Sequence, residues 1–164
     1  HVQAMPALAA AVALFAAIVH AARLALWQGW RTLRTPLVWV LHLAYAWIVI
    51  HLLLRALAVA GWVAEPLALH ALTLGAIGGL TIGMITRTAR GHTGRPLKAD
   101  GYETTAYLLV FAAALARVFG PMLLPAHYMA CVQVSAVLWV AAFGLYAVRY
   151  WPVLTRPRLD GKPG

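Results

Sequence analysis

Five stretches of about twenty or more predominantly apolar residues alternate along the chain with short segments that hold most of its charge and many of its prolines. A helix rises ~1.5 Å per residue, so a run of that length crosses the ~30 Å hydrocarbon core of a bilayer. The pattern predicts spans over residues 6–26, 36–60, 66–86, 103–124 and 126–150. The expected fold class is all-α, a polytopic transmembrane bundle formed by residues 1–150, with residues 151–164 as a mobile, proline-rich tail. Between the third and fourth spans lies "MITRTARGHTGRPLKADGYE". Gly91, Gly94 and Pro96 interrupt helical periodicity there and predict a loop. Asp100 and Glu103 have capping-box spacing and should start the fourth helix.

Composition sharpens this picture. The chain is 63% apolar and 10% charged, against about 25% charged in a soluble domain, so the bilayer is its expected solvent. It opens at His1 without a cleavable signal pattern and reads as a processed or partial product. The net charge of +9 is distributed as topology. Arg23, Arg31 and Arg34, then Arg87, Arg90, Arg95 and Lys98, then Arg149, Arg156, Arg158 and Lys162 all fall at the ends or loops of one side of the spans, while "AGWVAEP" and "LLPA" on the other side carry no Lys or Arg. The positive-inside rule then puts the first end outside and the tail in the cytoplasm. No aromatic-basic stripe accompanies the charge, so nucleic acid is not an expected partner. Trp27, Trp30, Trp39, Trp62 and Trp151 read as interfacial anchors. Cys131 is the single cysteine, and with Met122 and Met129 it reads as packing.

The candidate chemistry lies in polar residues that hydrocarbon disfavours. His20, His42, His51, Arg55, His70, Arg117 and His127 fall within or at the edge of predicted spans, and ionisable groups at such depth mark cavities, partners or cofactors. The four acids, Glu65, Asp100, Glu103 and Asp160, all lie at span ends or in loops. That leaves Arg55 and Arg117 without a carboxylate at their own depth and argues against a cation-coupled transporter. Helical rise puts His20 and His42 at one level, about 9 Å from the cytoplasmic ends of consecutive helices, able to hold a ligand between them. Arg55, His70 and Arg117 form an outer tier with His127 at its boundary. His51 and Arg55 are four apart and share a face, whereas His42 and His51 point to opposite faces.

Haem accounts for this set economically, because imidazole ligates its iron and its propionates need cations. His51 with Arg55 one turn outward, and Arg117 toward the same edge, form one such arrangement. Copper is the other cofactor suited to imidazoles in a membrane, and which of His20, His42, His51, His70 and His127 takes a metal stays open at this stage. The plainer readings are a helix-to-helix hydrogen bond for each histidine and outward snorkelling for Arg55. Gly75, Gly79 and Gly83 fall four apart and form a line of small residues, for close helix packing or for a flat macrocycle against the backbone.

The block "LHALTLGAIGGLTIGMITRTARGHTGRPL", with "ARVFGPMLLP" and "LWVAAFGLYAVRYWPVLTRPRLDGKPG", resembles the NnrS family. The resemblance covers essentially the whole chain and corresponds to the last five of about twelve spans, the N-terminal spans being absent from this chain. It implies a bacterial inner-membrane protein containing haem and copper, linked to denitrification and nitric oxide tolerance, with no settled enzyme reaction. The motif transfers as His70, Thr73, Gly75, Gly79, Arg87, Gly91, His92, Thr93, Gly94, Arg95 and Pro96. It gives His92 and Arg95 candidate roles at a metal or haem edge on the cytoplasmic rim, with a tight loop closed by backbone hydrogen bonds as the plainer reading of His92. Nitric oxide is the ligand implied, since ferrous haem binds it. The competing functions are a b-type cytochrome passing electrons between the two tiers, and a metal-free transporter or assembly factor.

Overall fold

A computed structural model describes residues 4–161, so His1 and Lys162 lie outside the described residues. Among these residues there is no strand, and five helical segments are long and apolar enough to cross a membrane. They are α1 (Ala4–Leu26), α2 (Pro36–Val59), α3 (Glu65–His92), α4 (Gly101–Val118, extended by the short turn Gly120–Leu123) and α5 (Tyr128–Leu154). The chain is an all-α, membrane-spanning bundle.

Sequence chemistry sets most of the boundaries. Pro36 opens α2, where a missing N–H costs nothing and φ is already helical. Gly61, at φ 77°, closes it: the Trp62 N–H reaches back to the Leu57 carbonyl and the Gly61 N–H to that of Ala58, both at 3.0 Å. Asp100 caps α4 through a complete capping box, accepting from the Tyr102 N–H at 2.8 Å while Glu103 accepts from the Asp100 N–H at 2.7 Å.

The third helix differs from its sequence reading. It runs nearly two turns past Thr86, through Gly91 to His92, and ends only where Gly94 takes φ 70°. The Arg95 N–H then bonds the Arg90 carbonyl at 2.9 Å, the same closure as at Gly61. Arg90 holds the extra turns in place, because its guanidinium donates to Glu103 at the start of α4 and to the Pro96 carbonyl. The tail also differs. Arg158 donates to the His92 carbonyl at 2.9 Å and the Leu159 N–H to that of Thr93 at 3.2 Å, so the chain returns onto the end of α3.

The buried core lies between α2, α3 and α4, with Val40, Trp47, Ile82, Tyr107, Val110 and Val118 at its centre. Helices α1 and α5 pack on its flanks and expose apolar outer faces, as lipid-facing helices do. Residues Ala71–Gly78 form a π-helical segment inside α3. Wider turns of this kind are uncommon and carry one extra residue per bulge. Small residues permit it here: a Cβ on Gly75 would overlap the Trp47 ring, and one on Gly78 would lie 2.5 Å from Trp139. Gly75, Gly79 and Gly83 meet Trp47, Ala44 and Val40 of α2 in antiparallel order.

Candidate functional site

At the arginine-rich end of the bundle, His42 donates its Nδ1–H to the Val38 carbonyl one turn earlier, at 3.0 Å. A carbonyl can only accept, so Nδ1 is the donor, and in the neutral ring Nε2 is the nitrogen that can bind a ligand. The imidazole lines a cavity of about 570 Å³ between α1 and α2. Its walls are apolar and aromatic, including Ala21, Ala25, Trp30, Trp39, Ala46 and Ile50. Gly29 closes against the ring, since a Cβ there would sit 3.1 Å from the imidazole carbons.

His20 joins this region through aromatic contacts. Its Nδ1 is hydrogen-bonded to the Tyr45 hydroxyl, and Trp27 packs against both Tyr45 and His42, at centroid distances of 4.7 and 6.1 Å. The two imidazoles are therefore linked by a chain of rings. Tyr45 lies three residues from His42, so helical spacing puts them on neighbouring faces; nothing local in the sequence pairs Tyr45 with His20.

On the opposite face of α2, His51 donates its Nδ1–H to the Ala68 carbonyl of α3 at 2.7 Å. In the neutral ring Nε2 is again the nitrogen that can bind a ligand. Arg55, one turn on, is exposed. Arg117 turns elsewhere: it donates to the Tyr128 hydroxyl at 3.4 Å, stacks over that ring, and lines a cavity of about 360 Å³ with Thr73, Ser135 and Trp139. His70 lies within electrostatic range of Arg117. His127 is exposed in the short helical turn before α5. His51 and Arg55 thus share a helix face, while Arg117 belongs with His70, Thr73 and Tyr128.

At the rim, His92 is the last residue of α3 and its side chain is exposed. Arg95 turns inward, toward a polar recess that also holds Arg90, Glu103, Arg149 and Tyr150. Glu103 is 3% exposed and accepts from Arg90 and, at 2.7 Å, from Tyr150. Among the described residues, no three His, Cys, Asp or Glu side chains converge as a metal-binding group.

The sequence matches the family described as NnrS protein over residues 1–158, a stretch that contains every candidate residue named above. The chain belongs to the NnrS family. No similar curated protein and no similar solved structure was found. NnrS membership, together with five membrane-length helices, supports a membrane protein of the nitric-oxide-response type.

Several partners in this NnrS chain have no local sequence signal. Tyr45 and Tyr128 meet the candidates His20 and Arg117, and Tyr150 meets the capping residue Glu103, each through a hydroxyl at the end of an otherwise apolar side chain. An aromatic ring in an apolar helix looks like packing, so its position in sequence announces no such role.

Proposed function

We propose that this chain forms a haem-holding part of an NnrS-type inner-membrane protein that meets nitric oxide, with His42 as the side chain that binds the iron. The observation that carries this reading is the His42 tautomer: Nδ1–H is committed to the Val38 carbonyl, and the ring lines an apolar cavity of about 570 Å³. A backbone carbonyl on the far nitrogen is the usual outer partner of a metal-binding imidazole, orienting the ring and raising its basicity. The aromatic and aliphatic walls suit a flat macrocycle. Arg23, Arg31 and Arg34 at the same end make no ion pair among the described residues, and propionates need such cations.

When bound, ferrous haem supplies an iron that takes nitric oxide. In this chain His42 would hold the group, the Val38 carbonyl would orient the imidazole, and the cavity walls would pack against the ring. Copper fits less well. No three His, Cys, Asp or Glu side chains converge among the described residues, so we assign no copper site to this chain. The reading extends to nitric oxide tolerance and denitrification as the processes served. The one-sided Lys and Arg distribution supports a cytoplasmic basic end and a periplasmic first end in the bacterial inner membrane.

His51 favours a second reading. It has the same committed Nδ1 on the opposite face of α2, so two ligand-type imidazoles occupy two depths. Electron transfer between two haems would use such a pair. Reduced-minus-oxidised visible spectra of detergent-purified protein, with and without nitric oxide, separate the readings. A haem band that moves with nitric oxide supports the first reading. A band indifferent to nitric oxide supports electron transfer, and the absence of any haem band contradicts both.

A further inference from the structure

At the basic end, α3, α4 and α5 enclose a recess of about 300 Å³ that the haem reading does not use. Arg90, Arg95, Arg149 and Arg156 line it, with Glu103 as the one acid in its wall and the Tyr150 hydroxyl beside it. Ion pairing absorbs only half of this positive charge. Arg90 is paired with Glu103, and Arg149 with Asp100 at 2.8 Å. Among the described residues, neither Arg95 nor Arg156 makes an ion pair.

Arg95 carries the second observation. Its Nη1 is out of water and has no hydrogen-bond partner among the described residues. A guanidinium N–H buried without an acceptor is costly, and the cost disappears when an anion supplies the oxygen. The backbone holds Arg95 in that position, because its N–H closes the end of α3 on the Arg90 carbonyl at 2.9 Å. The charge left in the recess is about two positive units. A guanidinium fork matches the oxygens of a phosphate in geometry as well as charge.

We propose that this recess binds a phosphate group through Arg95 and Arg156, with Arg90 and Arg149 as the paired cations that shape its wall. The recess lies where the spans leave the apolar zone, and exposed Trp151 sits next to its lining residue Pro152. Basic recesses between helices at such a level take anionic headgroups. The same oxygens are offered by free phosphate, so the source is settled by experiment. The site is independent of the haem reading.

The test is the thermal unfolding midpoint of the full protein in a zwitterionic detergent, with either inorganic phosphate or an anionic phospholipid added. Potassium chloride of equal ionic strength and phosphatidylcholine are the controls. A rise of a few degrees over control with the anionic lipid alone identifies a headgroup site. The same rise with inorganic phosphate identifies a soluble phosphate. In either case Arg95→Ala with Arg156→Ala abolishes the rise. Arg156 is exposed, so Arg156→Gln alone carries the test where the double variant does not fold, and it is expected to reduce the rise by at least half. No rise beyond control with either ligand overturns the proposal, as does a rise undiminished in these variants.

Discussion

Arg90, at the end of α3, and Glu103, in the first turn of α4, form an ion pair away from water, with side-chain exposures of 12% and 2%. Tyr150 of α5 donates to the same carboxylate oxygen, so one acid joins three helices. Removing one member of such a pair leaves a buried charge alone and costs about 3–5 kcal/mol. Glu103→Ala is therefore expected to lower stability by about 3 kcal/mol or more in an unfolding titration. Glu103→Gln keeps an acceptor and should lose less. Equal losses in the two variants would contradict the part given to the hydrogen bonds and leave the charge alone as the cause.

The glycines of α3 and α5 should respond to alanine with opposite signs. A Cβ on Gly75 overlaps the Trp47 ring, and overpacking costs about 1–3 kcal/mol. At Gly144 a Cβ meets nothing within 4 Å, and alanine there gains helix propensity of up to about 1 kcal/mol. Gly75→Ala should lower the melting midpoint and Gly144→Ala should leave it level or raise it. A melting curve for each variant decides this.

Acid should loosen the start of α4. Hydrogen bonds with the Glu103 side chain, Arg149 and the Tyr102 N–H hold the Asp100 carboxyl well below the usual carboxylate range. Such a group binds its proton less readily folded than unfolded. Its stabilisation is complete above the unfolded value of about 3.9 and is lost as pH falls through the folded value. The melting midpoint should therefore fall below about pH 4. Asp100→Asn, which keeps the cap acceptor, should flatten that fall. An equally steep fall in the variant would exclude Asp100 as its source.

What the sequence made legible was local or periodic. Apolar run length announced five spans, three-residue spacing announced the capping box at Asp100 and Glu103, and four-residue spacing announced the line of Gly75, Gly79 and Gly83. What it hid depends on partners far along the chain. Gly94 does end α3, but Gly91 also argues locally for a break, and α3 continues through it to His92 because Arg90 finds Glu103 thirteen residues on and Tyr150 sixty residues on. The π segment at Ala71–Gly78 follows from packing against Trp47 and Trp139, which no local pattern encodes. In the candidate site, helical spacing sets His42 and His51 on opposite faces of α2, and the fold turns the first toward α1 and the second toward α3. The grouping of Arg117 with Tyr128, and of His20 with Tyr45, required the tertiary fold.

Haem per polypeptide in His42→Gly, measured with and without added imidazole, tests the assignment of His42 most directly. Parallel measurements on His51→Ala and on the unaltered protein give the comparison. We expect haem to be lost in His42→Gly, restored in part by free imidazole, and retained in His51→Ala with its nitric oxide response intact. Full haem content and an unchanged nitric oxide response in His42→Gly, with loss in His51→Ala instead, would contradict His42 as the ligand and transfer the role to the opposite face of α2.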